Sequence, residues 1–587
     1  MATEKELYAE IEALKKKLEI ANNRIKTEKY GITWLDVPEA FEEESENQLP
    51  ILTEVKEKAV KNKDGKPTHI LIEGDNYHSL TCLNYTHKNK IDLIYIDPPY
   101  NTGSDGFTYK DKRVLDKYPD GSEVPKDHPL RHSYWLSFMN KRLELAKDLL
   151  SDSGLIFISI DDNELAQLKL LCDRIFGERN FIGNIVWFKK RKGSFLSNKL
   201  VSLTEYVLVY CKKDGVKLFG GETDKTESQP IVKRTNAVKT LVFPENFVQT
   251  KLKDGVYKAG KYGKGTTSTI LQNDIVVKDN IITTGFSLEA PFTWSQEFLD
   301  EEIKDETKVL INTSSFQPRV IRTNNNSFKA MPSFLDGRDF KATNEDAYGL
   351  LKDIFDKDRP FSYSKPVNLI KKLIKSVSFF KDSFTVLDFF AGSGTTAQAV
   401  IELNEEDKKQ IKFIIATNNE NNNGDGKIID DVCYPRVSKV ISGYTNRKEE
   451  VIQGLGNSLK YYKTDFVGSN NILSATDEDK SSLAHKAGYL LSIAENTLEE
   501  IELSSCYQLF ENDKKVTAIY FKEEMTEMEA FLEKVENIEK PIALYLFSWG
   551  NRSEFEALFD HLEHITIKTI PQPILEIYKR IYNIVTV

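Results

Sequence analysis

The chain has 587 residues, of which 40% are hydrophobic and 29% charged, and its formal net charge is −10 at pH 7. This length exceeds one ordinary core and predicts several domains. We find no secretory signal and no apolar run that approaches the roughly 20 residues needed to span a bilayer, so we expect a cytoplasmic protein without membrane association. The acidic balance excludes a general polyanion binder, and any contact with nucleic acid has to be local.

The five cysteines stand far apart in the sequence, at Cys82, Cys172, Cys211, Cys433 and Cys506. They lack the ligand spacing of a structural zinc site and the density of a disulfide framework. The sequence therefore predicts buried free thiols and no metal site.

The N-terminal segment carries an apolar stripe at alternating spacings of four and three residues, formed by Leu7, Ile11, Leu14, Leu18, Ala21 and Ile25. This heptad pattern is typical of a dimerising coiled coil, but an amphipathic helix that packs on its own chain has the same pattern. Both interpretations stay open. We assign residues 1–50 to an N-terminal helical or dimerisation arm.

From residue 51 the pattern changes to short apolar runs that alternate with helices. Near-continuous runs of Ile and Leu are typical of parallel strands covered on both faces, and they occur at 69–72, 91–96 and 155–160. A helix with one apolar face is predicted for residues 134–150. We therefore expect the first half of an α/β core at residues 51–180.

Residues 181–345 break this rhythm with short strands and many Asn, Thr and Lys residues, and they predict an inserted domain. The rhythm then returns, with helices at 367–374 and 395–403 and strands at 385–388 and 411–416. One doubly wound, Rossmann-like sheet is thus predicted in two separated halves, the second at residues 346–445. A distinct C-terminal domain is expected at residues 446–587, with helices at 483–501 and 574–581 and a strand at 542–547.

The sharpest local signal is Asp97-Pro98-Pro99-Tyr100, directly after a predicted strand. Ligands of open α/β sheets bind beyond the carboxyl ends of strands, so this position suits a catalytic site. The prolines lack backbone donors, which leaves the Pro98 carbonyl to accept one N–H of an amino group while Asp97 accepts the other. Tyr100 would stack on the flat face of a base. Taken alone, the segment is equally consistent with a rigid turn.

A second motif, residues 388–396 with the sequence DFFAGSGTT, follows a predicted strand and opens a predicted helix. Its glycines allow positive φ and close approach of a ligand to the backbone. The motif matches neither the dinucleotide-binding GxGxxG nor the Walker loop, so a ligand with a nucleoside end and a charged amino acid end fits better. The predicted contacts are Asp388, which is available for an ammonium group, and Phe390, Gly392, Gly394 and Thr395.

Four further residues complete the predicted ligand pocket, which Asp97 also borders. Asp75 follows the strand before the catalytic one and is a candidate acceptor for the amino group of a nucleoside ligand. Glu420 stands past the strand at 411–416, where an acidic residue accepts ribose hydroxyls. Ser364 and Lys365 head a helix, where a hydroxyl, a positive charge and the helix N-terminus suit a carboxylate. A helix cap or a surface ion pair is the alternative for Asp75, Ser364 and Lys365.

A basic run, formed by Lys189, Lys190, Arg191 and Lys192, lies beside Trp187 and Phe188. Such a run is usually a solvated face, but phosphate binding requires clustered Lys and Arg. We keep these four residues as candidate DNA-binding residues.

Taken together, residues 97–100 upstream and residues 390–394 downstream, with an insertion between them, resemble the amino-methyltransferases of the permuted beta motif order. Further segments resemble the modification subunits of type III restriction systems: residues 29–34, 160–164, 176–181, 418–420, 434–436, 454–462 and 495–497. They cover both ends of the chain but not residues 200–340. Asp rather than Ser before the two prolines resembles the adenine-modifying members more than those that modify cytosine N4.

The resemblance implies an enzyme that uses S-adenosylmethionine to methylate the N6 amino group of an adenine flipped out of double-stranded DNA. Asp97, Pro98, Pro99 and Tyr100 are its implied catalytic residues. It also implies a target recognition domain at residues 181–345, a homodimer, a C-terminal partner-interaction domain and a separate ATP-dependent helicase-nuclease subunit. Two alternatives stay open, an RNA or protein methyltransferase with the same amino-group pocket and a catalytically silent DNA-recognition subunit.

Overall fold

The computed structural model describes residues 25–27, 31–35, 48–101, 132–192, 200–222, 228–265, 268–321, 328–356, 361, 363–420, 426–470, 472–549 and 553–586. The described residues divide into two compact units, the first from residues 1–218 and 332–587 and the second from residues 219–331. Most of the N-terminal heptad stripe, residues 7–21, lies outside the described residues.

The first part of unit one alternates strands and helices from residue 49 onward. Its strands are β1 (Ile25–Thr27), β2 (Thr33–Leu35), β3 (Leu49–Glu54), β4 (Thr68–Glu73), β5 (Ile91–Ile96), β6 (Leu150–Ile160), β7 (Phe181–Phe188) and β8 (Thr204–Cys211). Its helices are α1 (Asn76–Thr86), α2 (Ser133–Leu149) and α3 (Leu165–Phe176). The three strands and the helix predicted before residue 180 are confirmed.

The second unit consists mainly of short antiparallel strands. They are β9 (Phe219–Glu222), β10 (Gln229–Pro230), β11 (Lys239–Phe243), β12 (Gln249–Thr250), β13 (Gly255–Tyr257), β14 (Gly260–Tyr262), β15 (Thr269–Leu271), β16 (Ile275–Lys278), β17 (Ile281–Ile282), β18 (Phe286–Ala290), β19 (Lys308–Ile311), β20 (Arg319–Ile321) and β21 (Phe328–Ala330), with helix α4 (Gln296–Lys304). A seven-stranded and a four-stranded sheet enclose a core of its own, which includes Phe243, Phe292 and Leu299.

The alternation returns in the second part of unit one. Its strands are β22 (Phe334–Asp336), β23 (Ser383–Asp388), β24 (Gln410–Thr417), β25 (Gly443–Thr445), β26 (Val451–Gln453) and β27 (Ser458–Val467). Its helices are α5 (Asn344–Phe355), α6 (Val367–Ser378), α7 (Thr395–Asp407) and α8 (Tyr434–Ser442). The sequence predicted α6, α7, β23 and β24 close to these bounds.

The C-terminal part of unit one adds a separate five-stranded sheet. It contains β28 (Glu499–Leu503), β29 (Tyr507–Glu511), β30 (Val516–Tyr520), β31 (Ile542–Ser548) and β32 (Ile565–Pro571), with helices α9 (Asp477–Lys486), α10 (Gly488–Glu495), α11 (Met528–Glu536) and α12 (Gln572–Thr586). The prediction of one helix over residues 483–501 is wrong. Asn496 adopts the left-handed conformation with φ +59°, which ends α10, and the chain continues as β28.

The main sheet has ten strands in the order β22-β7-β8-β6-β5-β23-β24-β4-β27-β3, and the six strands from β6 to β27 run parallel. At its centre β5 pairs with β23, so that Leu93 lies opposite Val386. The chain leaves β5 through α2 toward β6, and it leaves β23 through α7 in the opposite direction toward β24. Since such crossovers are right-handed, α2 and α7 cover opposite faces, which is the predicted doubly wound arrangement.

Two predicted domain assignments differ from the structure. Residues 181–218 and 332–345 were assigned to the inserted domain, but β7, β8 and β22 are strands of the main sheet and only residues 219–331 form the second unit. Residues 446–587 are not a separate compact unit either, because β27 lies between β4 and β3 in that sheet. Short strands without an adjoining helix gave no sequence signal of pairing with the core.

The five cysteines are buried and free, as predicted. In the described part of the chain, no helix is long and apolar enough to cross a membrane.

Candidate active site

A cavity of about 280 Å³ opens at the carboxyl ends of β5 and β23, where the chain connections diverge. Ligands of open α/β sheets bind at this place. Twelve of the residues predicted from sequence line it: Asp97, Pro98, Pro99, Tyr100, Lys189, Lys190, Ser364, Lys365, Asp388, Phe390, Gly392 and Thr395. The strand pairing of the two halves thus brings both motifs into one site.

Asp97 lies just past β5, and Lys365 neutralises its carboxylate. The Lys365 Nζ lies 2.8 Å from Asp97 Oδ1 and 2.9 Å from Oδ2. The Tyr100 hydroxyl donates to the same Oδ1 at 2.9 Å, and Lys365 Nζ stands 4.9 Å from the centre of the Tyr100 ring. Lys365, expected to hold a ligand carboxylate, is therefore already engaged by a carboxylate of the protein.

Glu205, near the start of β8, is a site residue that the sequence analysis missed. Its carboxylate accepts from Lys189 at 2.8 Å and from the Tyr100 hydroxyl at 3.1 Å, and it lies 3.3 Å from Lys365 Nζ. The carboxylates of Glu205 and Asp97 and the ammonium groups of Lys189 and Lys365 thus form one cluster with equal numbers of positive and negative groups. An acidic residue that opens the apolar run 206–211 was a signal, but it fell within the segment assigned to the inserted domain.

The protonation of this cluster follows from burial and from the neighbouring charges. Burial raises the pKa of Asp97, although Lys365 acts to lower it. Burial also acts to raise the pKa of Glu205, but Lys365 and Lys189 outweigh it and hold that pKa below its usual value. Burial acts to lower the pKa of Lys365, yet Asp97 and Glu205 raise it overall. The lysine therefore stays charged and keeps Asp97 able to ionise.

The two proline carbonyls after Asp97 differ in their hydrogen bonds. The indole N–H of Trp135 donates to the Pro99 carbonyl at 2.6 Å. No described residue donates to the Pro98 carbonyl, and Pro98 is one of the residues that line the cavity. Asp97 and Pro98 therefore present two acceptors side by side, which match the two hydrogens of an amino group.

The glycine-rich loop between β23 and α7 is held together by Asp388. Its carboxylate accepts from the Phe390 N–H at 2.9 Å and from the Thr396 hydroxyl at 2.5 Å. Burial raises the pKa of Asp388 to about 7. The side chain lines the cavity, so it remains a candidate partner for an ammonium group, but it also shapes the loop.

The two glycines of the loop have different surroundings. Gly392 adopts φ +49° and lines the cavity, where an added Cβ would lie 3.5 Å from the Phe361 ring. Gly394 adopts φ +77°, but an added Cβ would meet Cys433 Sγ at 3.2 Å and Val437 at 3.4 Å. Gly394 is not among the lining residues, and its lack of a side chain serves the packing of the loop against α8.

Besides Gly394, two predicted ligand contacts do not line this cavity. Asp75 caps the N-terminus of α1 by accepting from the Tyr77 N–H at 2.7 Å, and it lies 3.4 Å from Arg142. Glu420 is exposed beyond β24. Asp75 thus takes the helix-cap alternative that the sequence analysis left open.

The basic run divides after Lys190. Lys189 and Lys190 line the cavity, Arg191 pairs with Asp346 at 2.6 Å, and Lys192 is exposed. The four residues therefore do not form one continuous basic surface, and a role in DNA binding stays a prediction. Among the described residues, no group of three or more His, Cys, Asp or Glu side chains is arranged to hold a metal ion.

The chain is similar in sequence to known proteins. The family model described as DNA methylase, of the N6/N4 type, matches residues 91–468. The type II methyltransferase M.KpnI of Klebsiella pneumoniae is 33% identical over 357 residues, which cover 59% of this chain and 79% of that protein.

Two type III modification subunits are also similar. The StyLTI Mod subunit of Salmonella typhimurium is 33% identical over 420 residues, 68% of this chain and 61% of that protein. The EcoP15I Mod subunit of Escherichia coli is 30% identical over 433 residues, 66% of this chain and 64% of that protein. The chain thus spans less than two thirds of the length of these two subunits. From the family match, which covers both motifs and the strands that carry them, the chain belongs to the DNA methylase family of the N6/N4 type.

Proposed function

We propose that this chain transfers the methyl group of S-adenosylmethionine to the N6 amino group of adenine in double-stranded DNA. The observation that carries the proposal is the pair of adjacent acceptors, Asp97 and the Pro98 carbonyl, in the same cavity as the glycine-rich loop. Membership of the DNA methylase family and the similarity to Mod subunits support it. Asp before the two prolines favours adenine over cytosine N4 as the target.

The residues of the cavity suit the methyl donor. Its amino acid end carries an ammonium and a carboxylate, and the cavity offers the buried carboxyl of Asp388 and the hydroxyls of Ser364, Ser393 and Thr395. Gly392 allows close approach of the ligand to the loop backbone. S-adenosylmethionine, when bound, supplies an electrophilic methyl group on a sulfonium.

The chain's own residues prepare the target amino group. Flipping the adenine out of the duplex costs a few kcal/mol, and stacking and hydrogen bonds in the pocket offset this free energy. Asp97 accepts one N–H and Pro98 the other, which draws the nitrogen lone pair out of conjugation with the ring. Tyr100 stacks on the base and is fixed by its hydroxyl bonds to Asp97 and Glu205. Catalysis then consists of positioning and electrostatic stabilisation.

A methyl-transfer assay tests the proposal. Purified chain is incubated with labelled S-adenosylmethionine and either mixed-sequence duplex DNA or RNA, and the products are identified by mass spectrometry. We expect N6-methyladenine in DNA. Label in RNA alone would favour the RNA methyltransferase, and binding to DNA without any transfer would favour the silent recognition subunit.

We infer that the chain works as the modification and recognition subunit of a type III restriction system. Its methylation requires no partner, whereas restriction requires an ATP-dependent helicase-nuclease subunit. The N-terminal arm of residues 1–50 is the candidate dimer contact, and the region after residue 446 is the candidate contact for the partner. Similarity to the StyLTI and EcoP15I Mod subunits supports this assignment.

We expect exchange of residues 219–331 for the equivalent segment of a relative to change which adenine is methylated. Base readout and methyl transfer then belong to different compact units, so the catalytic rate on the new target stays within about tenfold of wild type. Methylation-sensitive sequencing of DNA from cells that express the hybrid measures the target. An active hybrid with an unchanged target sequence would contradict the role of unit two in recognition.

We expect Gly392→Val to weaken binding of S-adenosylhomocysteine at least about tenfold. The substitution strains a residue at φ +49° and points a branched side chain toward the cavity and the Phe361 ring. Titration calorimetry measures the affinity and thermal unfolding measures stability. Gly394→Val serves as the contrast, because its side chain would meet α8 instead of the cavity. This variant should lose thermal stability more than it loses affinity for S-adenosylhomocysteine. Wild-type affinity in a folded Gly392→Val protein would refute the placement.

A further inference from the structure

A buried guanidinium lies behind the glycine-rich loop. Arg436, on α8, has an exposed fraction of 1%. Burial lowers its pKa to about 10, so the side chain remains charged at neutral pH. A buried charge costs several kcal/mol unless a counter-charge and hydrogen bonds compensate it. The partners of Arg436 therefore indicate what this charge is for.

The hydrogen bonds of Arg436 go to neutral groups. Its Nε donates to the Gln398 side-chain oxygen at 2.7 Å, and an amino nitrogen donates to the Ser393 carbonyl at 3.2 Å. No Asp or Glu of the described residues lies within ion-pair distance of it. The Gln398 side-chain N–H donates to the Glu402 carboxylate at 2.9 Å, but that carboxylate is already paired with Lys371 at 3.1 Å. Glu402 thus acts on the Arg436 charge only from beyond ion-pair distance, and no described carboxylate pairs with it directly.

The same amino nitrogen of Arg436 contacts three hydroxyls that line the cavity. It lies 2.9 Å from Thr395 Oγ1, 3.0 Å from Ser393 Oγ and 3.4 Å from Ser364 Oγ. The three oxygens also lie 2.9 to 3.1 Å from one another. A guanidinium only donates, and this nitrogen shares its two N–H bonds among the hydroxyls and the Ser393 carbonyl, while the hydroxyls also bond one another. A negatively charged group in the cavity would turn the hydroxyl protons toward itself.

The position of the hydroxyls adds to this charge. Thr395 begins α7, where exposed backbone N–H groups and the helix dipole favour an anion. Lys365, the other cation next to Ser364, is neutralised by Asp97 and Glu205. Arg436 is therefore a positive charge without a direct carboxylate partner among the described residues, and it stands behind the hydroxyls.

We propose that Arg436 is the charge that recognises the carboxylate of the methyl donor, acting through the hydroxyls of Ser364, Ser393 and Thr395. Arg436 is a positioning residue, since it orients the hydroxyls and does not line the cavity itself. This inference rests on the proposed function. It assigns recognition of the ligand carboxylate to Arg436 and the three hydroxyls instead of to Lys365. Removal of the Arg436 charge should therefore weaken the binding of ligands that carry the carboxylate and leave the affinity for ligands without it unchanged.

Comparison of two ligands isolates the contribution of the carboxylate to binding. S-adenosylmethionine and its decarboxylated form share the nucleoside, the sulfonium and the ammonium, and their affinities are measured by calorimetry in the absence of DNA. In wild type we expect S-adenosylmethionine to bind roughly 10- to 100-fold more tightly than its decarboxylated form. This is the contribution expected from charge-assisted hydrogen bonds between the three hydroxyls and the carboxylate. In Arg436→Gln we expect that ratio to fall below about threefold, while the affinity for the decarboxylated form stays within about twofold of wild type.

Each result decides a different question. Equal loss of both ligands in folded Arg436→Gln would make the arginine a general structural residue and overturn the inference. Equal affinity of the two ligands for wild type would overturn the inference without any variant. The proposed function would not be affected, because the methyl-transfer assay tests it separately. Binding of neither ligand to wild type would overturn the cofactor assignment, and the inference with it.

Two further variants guard the test against a folding failure. Ser393→Ala removes one hydroxyl and keeps the guanidinium, and it should lower the ratio by about three- to tenfold. Arg338→Gln removes an arginine that is half exposed and paired with Asp336, and the ratio should not change. A ratio that falls equally in both variants would also overturn the inference.

Discussion

Asp97→Ala should lower the rate of methyl transfer by roughly 10²- to 10³-fold or more, because it removes one of the two acceptors that hold the target amino group. The glycine-rich loop is untouched by this change, so the affinity for S-adenosylhomocysteine should stay within about threefold of wild type. Single-turnover kinetics on a methylatable duplex measure the first quantity, and calorimetry measures the second. The combination separates loss of chemistry from loss of cofactor binding.

The matched control is Asp152→Ala. Asp152 also pairs with a lysine, Lys213 at 2.7 Å, but its side chain is 71% exposed and lies outside the lining of the cavity. Its loss should leave the rate and the affinity unchanged, because exposed ion pairs contribute little. Turnover of Asp97→Ala within tenfold of the control would remove Asp97 from the catalytic role.

The sequence predicted the parts of the site that have a local signature. Residues 97–100 and 388–396 each follow a strand of buried Ile, Leu and Val, and a motif at a strand end can be recognised without knowledge of the fold. Their meeting in one cavity followed from the α/β alternation. The pairing of β5 with β23 is what the structure adds.

Other parts depend on contacts between distant segments. Glu205 had no motif around it, and the resemblance of residues 434–436 assigned no role to Arg436. The role of Glu205 comes from its contacts with Lys189 and Lys365, and that of Arg436 from its contacts with Ser393 and Thr395. No local pattern predicts which of many charged residues will be buried. Position after a strand was also insufficient for Asp75, because the N-terminus of α1 needs an acceptor for its own N–H groups.

Lys365→Met should move the acidic limb of the pH–rate profile of methyl transfer to higher pH, by about one to two units. The ionised carboxylate of Asp97 is the stronger acceptor of an N–H, because the protonated carboxyl is neutral and carries an O–H donor. Burial raises the pKa of that carboxyl, and Lys365 opposes the rise. Without the ammonium the pKa of Asp97 rises further, so the ionised fraction falls at neutral pH and returns at higher pH. The measurement is kcat/KM from pH 5.5 to 9.5, with the exposed Lys213→Met as control.

Glu205→Gln should move the same limb in the opposite direction, to lower pH. The negative charge of Glu205 adds to the raised pKa of Asp97, so its neutralisation lowers that pKa and leaves more Asp97 ionised at acidic pH. The shift should be less than about one unit, because burial contributes more to the raised pKa of Asp97 than Glu205 does. A general loss of packing would shift both profiles alike or neither. Opposite shifts from two neighbouring substitutions therefore identify the ionisation of Asp97 as the step that the cluster controls, and shifts of equal sign would refute it.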